Sequence, residues 1–105
     1  MYKPKDRGNA SLSAGKDFCA FIFIALSSEL YHDPERVANN LAKHREIENV
    51  DVVAGRWGLV LRVRTKDQGK FYDFLRKIVC KENGVARTSS IVSLKQVKPI
   101  CLALD

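Results

Sequence analysis

Phe18-Cys19-Ala20-Phe21-Ile22-Phe23-Ile24-Ala25-Leu26 is the longest stretch of the chain without a polar residue, and Ser27-Ser28 closes it. A run this short, rich in aromatic and branched side chains and bounded by small polar residues, is expected to be a strand at the centre of a sheet. Its two faces are both apolar: Phe18, Ala20, Ile22, Ile24 and Leu26 on one side, Cys19, Phe21, Phe23 and Ala25 on the other. Burying one face in a core leaves the second still in need of cover.

Working outward, His32-Asp33-Pro34-Glu35 supplies an aspartate at the N-cap, a proline in the first turn and an acid near the positive end of the helix dipole. Val37, Ala38, Leu41 and Ala42 then recur at helical spacing, so a helix is predicted from Pro34 to about Glu46, with Lys43, His44 and Arg45 at its negative end. Asn49 to Ala54 alternates loosely, Gly55-Arg56-Trp57-Gly58 turns the chain, and Leu59 to Arg64 returns as a hairpin partner. Thr65-Lys66-Asp67-Gln68 has the form of a capping box, followed by an apolar stripe of Phe71, Phe74, Leu75, Ile78 and Val79 that predicts a second helix. Asn83-Gly84 tolerates the left-handed backbone that ends a helix, and Val85 to Lys98 reads as a last strand stopping before Pro99. The order βαββαβ defines an α+β, ferredoxin-like fold: a four-stranded antiparallel sheet with two helices on one face, because right-handed crossovers put both helices on the same side. The apolar second face of the first strand then predicts a sheet-to-sheet interface in a dimer, built from Phe21, Phe23, Trp57, Val92 and Leu94.

The 105 residues, 46% hydrophobic and 29% charged, suit one domain. Residues 1–17, with Pro4, Gly8, Asn9 and Gly15 and an excess of basic over acidic side chains, read as a mobile basic tail. Residues 18–98 form the domain and 99–105 a C-terminal tail. The net charge of +6 and pI near 9.4 admit a polyanionic partner, but no run of like charges outlines a groove. Cys19, Cys80 and Cys101 are odd in number, far apart and outside any CxxC spacing, which argues against a disulfide scaffold or zinc site and fits a reducing cytoplasm. Cys19 and Cys80 are expected to be small buried hydrophobes. His32 and His44 do not make a metal pair, no cofactor motif is present, and no segment approaches the length that spans a membrane.

Two other functional classes meet obstacles. A small ferredoxin-like enzyme would need a histidine or acid within the sheet cavity, whereas His32 lies in a loop, His44 at a helix end, and the acids at turns and caps. A nucleic-acid-binding module would stack bases on strand aromatics. Phe21 and Phe23 alternate suitably, but their neighbours along the strand are apolar, with no lysine or arginine to hold phosphates.

From Phe18 to Lys98 the chain resembles the regulatory, or RAM, module of the Lrp/AsnC regulators. The resemblance is carried by the opening apolar run, Ile47-Glu48-Asn49-Val50, the Val53-Ala54-Gly55-Arg56-Trp57-Gly58-Leu59-Val60-Leu61-Arg62-Val63 hairpin, and Asn83-Gly84-Val85-Ala86-Arg87-Thr88-Ser89-Ser90-Ile91-Val92-Ser93-Leu94-Lys95. It implies a non-catalytic sensing domain: a homodimer through the sheet faces, dimers assembled into a larger ring such as an octamer, and a small effector, usually an amino acid, held between subunits. Family regulators place a helix-turn-helix module ahead of this domain, and residues 1–17 cannot hold one. Either a stand-alone form of the module, able to co-assemble with a DNA-binding family member, or a fragment of a longer regulator is therefore implied, without direct operator recognition by these residues. The effector site implied is Gly55, Arg56, Trp57 and Gly58 of the hairpin with Thr88, Ser89 and Ser90 of the last strand. Backbone donors and one guanidinium there suit a carboxylate, although the same glycines would equally serve a plain turn, and Thr88 to Ser90 an ordinary polar strand. The residue after the hairpin aromatic, typically aspartate in the family, is Gly58 here.

Overall fold

The computed structural model describes residues 17–98, so both expected tails, Asp17 apart, lie outside the described residues, as does Cys101. The elements run β1 (Phe18–Leu26), α1 (Pro34–Ala42), β2 (Ile47–Val52), β3 (Leu59–Thr65), α2 (Gln68–Phe74) continued by a π turn (Leu75–Val79), and β4 (Val85–Ser93). The four-stranded sheet has the order β2-β3-β1-β4, and each neighbouring pair is antiparallel. This is the predicted ferredoxin-like α+β arrangement with β1 at the centre.

Alternation along β1 decides which side is core. Ala20, Ile22 and Ile24 are fully buried together with Leu59, Leu61 and Val63 of β3, and Val37, Leu41, Phe71, Phe74 and Val79 of the helical layer close over them. The chain enters the last strand through Gly84, whose φ of +103° is a conformation side chains resist. A Cβ there would run into Leu30 Cδ1 and stand 2.9 Å from Val37 Cγ2. Glycine is thus required at this position both for its backbone angle and for the space it leaves. The carbonyl of Gly84 accepts from Ser27 N–H at 2.8 Å, tying the end of β1 to the start of β4.

Several boundaries differ from expectation. Helix α1 stops at Ala42, four residues before Glu46, because the Glu46 carbonyl already accepts from Arg64 N–H (2.9 Å) as the ladder to β3 begins. His44, expected at the helix end, packs edge-on against Phe74 with ring centroids 5.8 Å apart. Asp33 occupies the N-cap position without a side-chain bond, so the start of α1 rests on Pro34 and on Arg36 N–H donating to the Asp33 carbonyl. The second helix begins two residues later than the Thr65–Gln68 capping box implies: Asp67 is the N-cap and accepts from Lys70 N–H at 2.8 Å, while the Thr65 hydroxyl donates to the Asp67 carbonyl at 2.9 Å. Nothing in Leu75-Arg76-Lys77-Ile78-Val79 marks the π turn that follows. Strand β4 ends at Ser93 rather than Lys98. Cys80 corrects the expectation of a buried thiol: it follows the π turn on the solvent side and is exposed, whereas Cys19 is buried.

Candidate functional site: the open sheet face and its hairpin

The register builds the open face row by row. Cys19 lies between Arg64 and Ser93, Phe21 between Arg62 and Ile91, Phe23 between Val60 and Ser89, and Ala25 beside Arg87. All stand opposite the buried face of Ala20, Ile22 and Ile24, since successive strand residues alternate. The centre of this face is apolar, as expected. Its flanks are not: Arg62, Arg64 and Arg87 lie on the strands beside β1, which itself carries no cation to accompany Phe21 and Phe23.

Glu48 organises one flank. The β2–β3 register slips between Ile47 and Asn49, and the Glu48 carboxylate reaches across to accept from Arg62 Nε at 2.9 Å and from Arg64 Nε. Asp17 lies 3.8 Å from Arg64. Burial pushes the Glu48 carboxyl up, but the hydrogen bonds and charges of Arg64 and Arg62 outweigh it and hold the group below its ordinary value. The neighbouring Cys19 thiol moves the other way, raised by burial despite the pull of Arg62 and Arg64. Arg62 is only 7% exposed, lies 5.1 Å from the Phe21 ring centroid, and has an Nη2 with no hydrogen-bond partner.

The β2–β3 hairpin covers the other end. Gly55 takes φ +126°, Val53 N–H donates to the Gly58 carbonyl at 3.0 Å, and Gly58 N–H donates to the Ile24 carbonyl at 2.8 Å. Gly58 sits so close to Leu26 that a Cβ would stand 3.0 Å from its Cδ1, so this glycine has a packing role as well as a turning one. Anchored in this way, the loop sets Trp57, half-buried, 6.0 Å from Phe23 between ring centroids. Arg56 stands 6.0 Å and Arg87 5.6 Å from the Trp57 centroid.

The expected site residues are therefore sorted differently. Gly55, Arg56, Trp57 and Gly58 are together, and Ser89 shares the row of Phe23 on the same face. Thr88 and Ser90 pair with Ile24 and Ile22 and so point to the helix side, away from Trp57. Val92, opposite Ala20, is likewise on the helix side, and Leu94 lies beyond β4 with 94% exposure. Neither joins Phe21, Phe23 and Trp57; Ile91, opposite Phe21, takes the place expected of Val92. The residue missed is Arg87. Its signal was the two-residue spacing from Ser89, which puts both on one side of a strand.

The sequence profile of the Lrp/AsnC ligand binding domain matches residues 19–101, and the chain belongs to this family. It is 32% identical over 84 residues to the HTH-type transcriptional regulator FL11 of Pyrococcus horikoshii, covering 80% of this chain and 53% of that protein. To the proline dehydrogenase transcriptional activator of Rhizobium radiobacter it is 30% identical, over 80% of this chain and 54% of the other. The chain thus spans about half the length of the curated relatives it matches. Among solved structures, Escherichia coli AsnC superimposes with a TM-score of 0.75 at 17% identity, over 97% of this chain and 62% of that one. A Neisseria meningitidis transcriptional regulator in complex with L-methionine gives 0.68 at 20%, over 94% and 59%. These structural likenesses establish the shared fold. Among the described residues no helix is long and apolar enough to cross a membrane.

Proposed function

We propose that this chain is a non-catalytic sensing and oligomerisation domain of the Lrp/AsnC transcriptional-regulator type, whose effector is an amino acid or a close analogue. The family match across the sheet and both helices carries the reading. The open face supports the assembly half of it: Phe21, Phe23, Val60 and Ile91 form an apolar centre for a second copy to cover in a homodimer, from which a ring such as an octamer can be built. Control of transcription then requires a DNA-binding module, on the same polypeptide or on a co-assembling family member. A thermal-shift screen against the standard amino acids and their 2-oxo analogues tests the sensing half. A ligand at a hundred times its dissociation constant stabilises by about 2.7 kcal/mol, which is readily visible. No shift with any compound would remove the sensing role.

Arg87, exposed beside the aromatic row, also favours a second reading, in which the face binds nucleic acid. Retention of labelled RNA that weakens as salt rises, and is reduced in Phe21→Ala, would favour it over a dry interface.

A further inference from the structure

The arginines on this side of the molecule form two pairs whose charge is answered differently. Arg62 and Arg64 share the carboxylate of Glu48. Arg56 and Arg87 stand over one indole, both exposed, and among the described residues neither lies within ion-pair distance of a carboxylate. Two cations held to one ring repel each other, and an anion shared between them removes that repulsion.

The loop beneath supplies further donors. Its flanking bonds, Val53 to Gly58 and Gly58 to Ile24, are made, while the N–H groups of Ala54 to Trp57 donate to no backbone carbonyl among the described residues. At Gly55 the space where a Cβ would stand is open to 4 Å. Exposed backbone donors in a glycine turn suit an oxyanion. Ser89, one row from Arg87 on the same face, adds a hydroxyl.

We infer that the hairpin site takes a small dicarboxylate, with one carboxylate on each guanidinium and the carbon skeleton against the Trp57 ring. The inference rests on the sensing role proposed above and specifies its ligand: an acidic amino acid or its 2-oxo analogue. A neutral amino acid would answer only one of the two cations and would bring its ammonium group beside the other.

Trp57 is the sole tryptophan, so its emission reports occupancy directly. The intact chain is titrated with glutamate, 2-oxoglutarate, glutamine, leucine and inorganic sulfate. Both dicarboxylates should perturb the emission and bind roughly tenfold or more tighter than glutamine, and Arg56→Gln and Arg87→Gln should each weaken them by a similar factor without changing the unfolding midpoint. The order of glutamate and 2-oxoglutarate tells the amino acid from the oxo acid. Glutamine or leucine binding as tightly as the dicarboxylates would overturn the ligand class and leave the sensing role standing. Sulfate binding equally well would reduce the cluster to a simple oxyanion site and also overturn it. Silence in this titration together with silence in the thermal screen would remove both.

Discussion

Glu48 illustrates how one side chain links a strand irregularity to the chemistry of a face. Because its carboxyl is held below the ordinary 4.5 in the folded chain, it contributes stability above that pH and loses the contribution as pH falls through the lowered folded value. Unfolding midpoints measured from pH 6 downward should therefore fall less steeply below about pH 4.5 in Glu48→Gln than in the parent, with the variant less stable at neutral pH. Identical acid limbs would show that the carboxylate is unpaired in solution. Gly84 offers a second test at this scale. Alanine there combines a positive φ with overlap against Leu30 and Val37, and should cost about 2 kcal/mol or more in urea unfolding. Gly55→Ala meets only the backbone penalty, about 1 kcal/mol, since its Cβ enters open space. Reversal of this order would mean that the entry to β4 differs from that described. The need for a turn at Asn83-Gly84 was legible from residue type, whereas the demand for empty space was not, because Leu30 and Val37 are brought there only by packing.

At the scale of elements, β1 was readable to the residue because its apolar run is short, rich in aromatic and branched side chains, and closed by Ser27-Ser28. The end of α1 was not. Lys43-His44-Arg45-Glu46 satisfies every local rule for a last helical turn, and only the pairing of β2 with β3 overrides it. The sides of β4 were equally hidden: Thr88-Ser89-Ser90 has no alternation of its own, so its register against Phe23 alone separates Ser89 from its two neighbours. That register also decides which substitutions report on assembly. Phe21→Asp and Phe23→Asp place a charge on the open face and should dissociate the proposed dimer in light scattering, while Val92→Asp, on the helix side, should leave its mass unchanged. Equal behaviour of all three would mean that the faces are misassigned.

For the whole molecule, sedimentation or light scattering should return at least twice the 11.8 kDa chain mass at micromolar concentration. A stable monomer would leave the apolar centre of the sheet unexplained. The strand order has a different consequence, for the route by which this sheet is made. Strand β1, the first strand of this sheet in chain order, occupies a middle position, and one of its two neighbours, β4, is the last strand of the sheet to leave the ribosome. The hairpin of β2 and β3 can zip early and offer β1 one edge, but the other edge of the most apolar strand stays unpaired until Val85 to Ser93 emerge. Such non-local pairing slows folding and prolongs exposure of an aggregation-prone segment. A nascent chain stalled before Val85 should therefore bind hydrophobe-seeking chaperones, and release past Ser93 should free it.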